Sequence, residues 1–148
     1  MAEADIVLLK QLGYRYAYAL DGCELEPFLD VFTPDARLRI YHPDAEAPFA
    51  DFTGHEQMRI IPGRMRDMFA QTMHVMSNHL VEVDGDEARG TVLCTARHLT
   101  KDRENSMNVM IRYVDAYRRT AEGWKIADRQ IRFLWSEQHA AIDSGFGQ

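Results

Sequence analysis

Cysteine is scarce in this chain: Cys23 and Cys94 are the only two among 148 residues, and neither belongs to a CxxC or zinc-type pattern. Two cysteines are too few for the disulfide bonds that stabilise a secreted domain of this size, so we expect reduced thiols and a cytoplasmic location. Long apolar runs are missing too, because no stretch reaches the roughly 18 apolar residues of a membrane span. Acidic residues precede the first apolar stretch, unlike in a signal peptide. We therefore expect a protein that is neither exported nor membrane-spanning.

Positive charge is also in short supply. The chain has 17 Lys and Arg residues against 23 Asp and Glu residues, which gives a formal net charge of −6. Because nucleic-acid binding depends on Lys and Arg neutralising phosphates, a nucleic acid is not an expected partner. With 46% hydrophobic and 27% charged residues, the composition indicates one ordinary globular domain over residues 1–148.

Motifs that bind nucleotides or activate a nucleophile are absent from the sequence. There is no P-loop, no GxGxxG and no GxSxG elbow, and the six histidines are scattered without metal-ligand spacing. We therefore expect no cofactor and no metal. Proton transfer by His, Asp and Tyr side chains is the chemistry that the sequence leaves open.

The first half of the chain has the pattern of helices followed by one strand. Apolar residues at spacings of three and four predict a helix from Ile6 that ends at the turn Asp21-Gly22. A second short helix fits residues 24–32, and alternation predicts a strand over 36–42. Residues 42–54 are predicted to form a loop, and 55–69 a helix that is kinked or split at Pro62-Gly63.

The second half of the chain has the pattern of strands. Four strands are predicted within residues 72–83, 88–100, 107–120 and 124–135, with turns at Asp84-Gly85 and Glu122-Gly123. Helices first and strands later predict an α+β fold. About three helices would enclose a pocket against a curved antiparallel or mixed sheet.

Strand periodicity decides which polar side chains point toward such a pocket. Strict alternation puts His74 on one face of the first long strand, together with Thr72, Met76, Asn78 and Leu80, and His79 on the other. Either histidine could therefore be inside. His98 and Asp115 fall on largely apolar faces of their strands. A histidine on an apolar face is by itself more often a core residue than a catalyst, and Asp21 is by itself a turn residue.

Three segments of the sequence resemble a known superfamily. They are YRYAYALDGCELEPFLDVFTPDARLRI, TMHVMSNHLVEVDGDEARGT and IRYVDAYRRTAEGWKIADRQIRF. In that order they resemble the SnoaL-like superfamily, which also contains nuclear transport factor 2, scytalone dehydratase and ketosteroid isomerase. The resemblance spans roughly Asp5 to Trp135 and implies a cone-shaped half barrel around a pocket. Because this superfamily hosts many functions, the fold alone does not select one.

Individual positions carry the resemblance further. Asp21 and His74 fall where scytalone dehydratase, hexachlorocyclohexane dehydrochlorinase and the bacterial bile acid dehydratase have an Asp/His pair. By the same matching His98 resembles the second catalytic histidine of scytalone dehydratase. Tyr16 and Arg132 resemble the Tyr and Arg of the bile acid enzyme.

Two further positions bear on the substrate. Tyr41 or His42 lies near the second water-holding tyrosine of scytalone dehydratase, and Leu20 replaces the first. That replacement argues against scytalone itself as substrate.

The resemblance thus implies a cofactor-free lyase-like or isomerase-like enzyme for a small, largely apolar, cyclic molecule. His74 would be the base and Asp21 its partner, with Tyr16, His98 or Arg132 assisting. Two alternatives stay open: a polyketide cyclase, and the non-catalytic β subunit of an aromatic-ring-hydroxylating dioxygenase. The family also implies a homodimer or homotrimer.

Overall fold

A computed structural model describes residues 2–142 of the chain and contains four helices and six strands. The helices are α1 (Ala2–Asp21), α2 (Leu25–Asp30), α3 (Gly54–Met58) and α4 (Ile61–Met68). The strands are β1 (Phe32–Tyr41), β2 (Ala50–Thr53), β3 (Phe69–Asp84), β4 (Glu87–Thr100), β5 (Asn105–Thr120) and β6 (Gly123–Ala140). This confirms the predicted α+β class.

The six strands form one mixed sheet in the order β2-β1-β6-β5-β4-β3. All neighbours pair antiparallel except β1 and β6, which run parallel. The face of the sheet that packs against α1 is called the inner face below. No helix within residues 2–142 is long and apolar enough to cross a membrane.

Helix α1 covers the inner face because its apolar stripe is buried. Leu9 and Leu12 are fully buried in the core, and Tyr16 is almost fully buried. The start of the helix is tied to the β5–β6 hairpin by Asp5, whose carboxylate accepts two hydrogen bonds from Arg119 and one from the Trp124 indole. These contacts fix the N-terminal end of α1. The last turn of the helix, at its other end, places Asp21 beside β3.

Two predicted boundaries in the first half are wrong. The predicted loop contains β2, a four-residue edge strand that pairs with β1. The predicted helix break lies at Arg59 and Ile60 between α3 and α4, rather than at Pro62. Pro62 occupies the first turn of α4, where its missing N–H has no helical partner to lose.

A β-bulge in β3 overturns the alternation expected there. Pairing with β4 is shifted between Ser77 and Leu80, and Asn78 has a positive φ of 51°. The expected face therefore ends at Met76, and Leu80 is 76% exposed. Beyond the bulge the other set of residues turns inward, beginning with His79, which bonds to a buried tyrosine. Both His74 and His79 consequently lie on the inner face.

Candidate active site

The last turn of α1 and the start of β3 bring together two side chains that are far apart in the sequence. The Nδ1 atom of His74 lies 2.6 Å from the Oδ1 atom of Asp21. The His74 side chain is 4% exposed and that of Asp21 is 23% exposed. The predicted pair is therefore in direct contact, with its histidine enclosed.

Two further hydrogen bonds fix the Asp21 carboxylate. The Thr72 hydroxyl donates to Oδ1 at 2.8 Å, and the His74 backbone N–H donates to Oδ2 at 2.9 Å. Burial alone would raise the pKa of Asp21, but the hydrogen bonds from His74 and Thr72 outweigh it, and the pKa is lowered. Asp21 is therefore a carboxylate at neutral pH.

This geometry also fixes the His74 tautomer. A carboxylate only accepts hydrogen bonds, so the Nδ1 of His74 carries the proton and donates it to Asp21. The lone pair of neutral His74 is then on Nε2. A buried imidazole held in this way by a carboxylate has the arrangement of a general base.

His98 lies beside His74 on the neighbouring strand β4. The two ring centroids are 5.6 Å apart at 86°, and the Nδ1 of His98 donates to the Met107 carbonyl oxygen at 2.9 Å. Burial lowers the pKa of His98, so the ring is neutral and its Nε2 is an acceptor at neutral pH. The unprotonated Nε2 of His98 is thus available beside the His74 ring.

A cavity of about 110 Å³ lies between the helices and the inner face of the sheet. His74 and His98 are its two titratable imidazoles, and Tyr16 and Tyr113 supply phenol side chains. Burial raises the pKa of both phenols, so they remain protonated and can donate. The rest of the wall is apolar: Leu20, Leu38, Ile40, Ile61, Val109, Ile111, Ile131 and Phe133.

Behind the two phenols lies a buried arginine that sequence reasoning missed. The Arg129 guanidinium stacks on the rings of Tyr16 and Tyr113, with its carbon 4.4 and 4.2 Å from their centroids. Its Nε and Nη2 both bond to the Asp115 carboxylate at 2.8 Å. The sequence did contain a signal for this arginine. Asp115 falls on a largely apolar strand face, and a carboxylate buried there needs a charged partner.

The structure does not bring Arg132 to the cavity. Its neighbours Ile131 and Phe133 line the cavity, and Arg132 points to the opposite face of β6. There its guanidinium lies 4.1 Å from the centroid of the Tyr41 ring, and its Nε donates to Gln130. The arginine beside Tyr16 is Arg129, so the expectation for Arg132 is corrected.

Tyr41 and His42, the two candidates for the second water-holding tyrosine position, are not among the residues that line this cavity. Tyr41 is on the outer face under Arg132. His42 stacks on Phe49 at 4.0 Å, and Phe49 in turn contacts Phe133 at the cavity edge. Leu20, in contrast, does line the cavity, so the replaced tyrosine position is part of the cavity wall.

Within residues 2–142 no group of three His, Cys, Asp or Glu side chains could hold a metal ion. The chemistry that the described groups themselves offer is proton transfer at His74, with hydrogen-bond donors and one further acceptor around it.

Comparisons with known proteins agree with this fold. The sequence pattern of the SnoaL-like domain family matches residues 3–130. An uncharacterised protein of Mycobacterium tuberculosis is 28% identical over 127 residues, which cover 85% of this chain and 83% of that protein.

Solved structures are similar over most of the chain. A candidate aromatic ring hydroxylase from Novosphingobium aromaticivorans is 26% identical with a TM-score of 0.78, and the match covers 95% of both chains. A candidate scytalone dehydratase from the same organism has a TM-score of 0.80 at 21% identity over the whole of both chains. A hexachlorocyclohexane dehydrochlorinase has a TM-score of 0.80 at 16% identity over 99% of both chains. The last two likenesses concern the fold.

Proposed function

Because the chain belongs to the SnoaL-like domain family, we propose that it is a cofactor-independent lyase-like or isomerase-like enzyme. Its substrate is a small, largely apolar, cyclic molecule that loses a proton to His74. The observation that carries this proposal is the Asp21–His74 hydrogen bond beside a mostly apolar cavity. A hydrogen-bonded carboxylate and imidazole at such a cavity are the parts that proton abstraction needs.

In the proposed reaction the Nε2 of His74 takes a proton from a carbon next to a carbonyl group. The electron pair of the broken C–H bond forms the C=C bond of an enolate, and His74 becomes an imidazolium that Asp21 stabilises. In an elimination the carbonyl group re-forms, the electron pair of the enolate C=C bond moves to form the new C=C bond and expels the β-hydroxyl group, and the His74 imidazolium gives its proton to the departing oxygen, which leaves as water. In an isomerisation the proton returns from His74 to a different carbon.

The other polar groups of the cavity favour a substrate that carries oxygen. The Tyr16 phenol is protonated and can donate a hydrogen bond to the developing oxyanion. The neutral His98 offers an acceptor at Nε2, which matches a substrate hydroxyl group and not a chloride. Loss of water is therefore the elimination that we favour over loss of halide.

The experiment is a matched panel of small cyclic ketones with and without a β-hydroxyl group, incubated with the protein and followed by mass spectrometry. We expect loss of water from a hydroxylated member, and no turnover by His74→Ala. A matched control is His139→Ala, because His139 lies at the exposed end of β6, with its side chain 59% exposed. Water loss that persists in folded His74→Ala protein would overturn the proposed role.

A second candidate function is suggested by the likeness to the candidate aromatic ring hydroxylase. The chain would then be a non-catalytic β subunit that binds an α subunit. Stable co-purification with such a subunit, together with no turnover across the panel, would favour it. A polyketide cyclase would use the same Asp21 and His74 pair and would be recognised by ring closure of a linear substrate.

We further propose a cytoplasmic homodimer or homotrimer. Cys23 and Cys94 are both free, which suits a reducing compartment. On the outer face of the sheet Met73, Val75 and Trp135 are 52%, 48% and 53% exposed. Exposed apolar side chains in a group favour association. If the protein sediments as a monomer at all concentrations, the proposed homodimer or homotrimer is wrong.

A further inference from the structure

A second cavity, of about 100 Å³, lies between α1 and the bulged part of β3. It shares no lining residue with the cavity of His74 and His98. Helix α1 contributes Lys10 and Tyr14, β3 contributes Ser77, Asn78 and His79, and the sheet behind contributes the residues Tyr117 and Arg129. The proposed catalysis uses none of these polar side chains directly.

Local backbone geometry builds this cavity. The positive φ of Asn78 turns His79 to the inner face, as described above. Gly90 on β4 lies opposite, where an added Cβ would sit 2.6 Å from the Leu80 carbonyl oxygen and 3.3 Å from the Nε2 of His79. Only glycine fits against the Leu80 carbonyl oxygen at this point, and it also leaves space beside His79.

A chain of hydrogen bonds fixes the His79 tautomer. The Tyr117 hydroxyl donates its proton to Oδ2 of Asp115 at 2.8 Å, so its oxygen is left as the acceptor for His79. The Nε2 of His79, 3.1 Å away, must therefore carry the proton and donate it. The Nδ1 of neutral His79 is then unprotonated and free to take up a proton.

The charges around His79 favour an anion. Arg129 is paired with Asp115, so these two charges cancel locally, and Lys10 adds one positive charge from α1. No carboxylate lines the cavity. Burial lowers the pKa of His79; Asp115 opposes this, whereas Arg129 and Lys10 add to it, which places both cations within electrostatic reach of the ring.

From this arrangement we propose that the second cavity binds a small carboxylate anion through the Lys10 ammonium group, with Ser77 and Asn78 as hydrogen-bond donors. The volume excludes a drug-sized molecule, whose pockets have about 300–1,000 Å³, and the positive charge of Lys10 selects a small anion such as acetate. A bound anion would stabilise the protonated form of His79, so its pKa would rise on binding. The charged and titratable groups that face this ring are Lys10 and Tyr14 from α1, Tyr117 and Asp115 from β5, and Arg129 from β6.

The test is a titration of the full chain with sodium acetate at constant ionic strength, with sodium chloride as the balancing salt. Carbon–proton NMR signals of the histidine rings report where acetate binds. We expect a saturable shift at His79 with an increase of its pKa, and no saturable shift at His74. Lys10→Gln should weaken acetate binding at least about tenfold, which corresponds to about 1.4 kcal/mol.

Lys101→Gln is the matched control, because Lys101 follows β4 and bonds to the Arg66 carbonyl away from this cavity. It should leave acetate binding unchanged. Acetate shifts that are linear, that are equal at all histidines, or that Lys10→Gln and Lys101→Gln reduce equally would overturn the proposal. The outcome is independent of turnover, so it does not depend on the role proposed for His74.

Discussion

Asp21 and His74 are 53 residues apart in the sequence, yet the Oδ1 of Asp21 and the Nδ1 of His74 lie 2.6 Å apart. The contact forms because α1 ends where β3 begins to pair with β4. It places the ionised carboxylate on one side of the imidazole and leaves Nε2 on the other. Two consequences of this contact for catalysis can be measured directly.

The Asp21 carboxylate should be needed for full activity. In Asp21→Asn the amide can no longer stabilise an imidazolium, so kcat of a competent substrate should fall about 10²- to 10⁴-fold. Because the two residues act as one unit, Asp21→Asn combined with His74→Ala should be little slower than the slower single variant. Steady-state kinetics of the three variants measure this, and fully additive losses would contradict it.

Thr72 should act as a positioning residue through its hydroxyl bond to Asp21. Thr72→Val removes a bond worth about 1 kcal/mol, so kcat should fall roughly fivefold while KM changes little. Thr72→Ser keeps the hydroxyl and should restore the rate. The control Thr95→Val lies on the outer face of β4 opposite Val75 and should have no effect. Equal losses in Thr72→Val and Thr72→Ser would refute the role of the hydroxyl.

Acid should weaken the fold through His98 and His79. Burial lowers the pKa of both below 6.5, so near and below that pH the unfolded chain binds more protons than the folded one. The free energy of unfolding should thus be highest above about pH 6.5 and decrease as the pH falls. Urea denaturation at pH 7.5, 6.0 and 5.0 measures the slope.

The variant His98→Asn keeps a donor for the Met107 carbonyl and removes the titrating ring. It should therefore flatten the pH dependence of stability. An identical slope in wild type and His98→Asn would show that His98 does not contribute.

The bulge at Asn78 should tolerate glycine and resist β-branched residues. A left-handed backbone costs an ordinary side chain about 1–2 kcal/mol, and valine is among the least tolerant. Asn78→Gly should therefore retain the free energy of unfolding to within about 0.5 kcal/mol, whereas Asn78→Val should lose roughly 1–2 kcal/mol. Equal stability of the two variants in urea would mean that the left-handed conformation is not required.

Sequence reasoning found the parts of the fold that follow strong periodicity or turn chemistry. Helix α1, the four long strands and the hairpin turns are of this kind. The edge strand β2 was not predicted because a segment of four residues is too short to show a periodic pattern. The split between α3 and α4 was misplaced because Pro62 marks the start of a helix as readily as its end.

The polar positions were harder to place because bulges change the face of a strand. In β6 the pairing shifts between Ile126 and Asp128, so Ala127 is the extra residue. Alternation counted from the buried Trp124 would turn Arg132 inward, whereas the bulge turns Arg129 inward instead. The same effect at Asn78 brought His79 inside. Asp21 and His74 were indicated by the resemblance to enzymes with an Asp/His pair, because alternation by itself did not distinguish His74 from His79.

Transfer of a carbon-bound proton to His74 is the central claim, and proton exchange tests it most directly. The protein is incubated in D₂O with cyclic ketones, and deuterium uptake next to the carbonyl is followed by NMR, which detects proton abstraction even when no group leaves. Wild-type protein should catalyse this exchange for a ligand that fits the cavity, and folded His74→Ala protein should lose about 10²- to 10⁴-fold in rate. Exchange at the wild-type rate in folded His74→Ala protein would contradict the account.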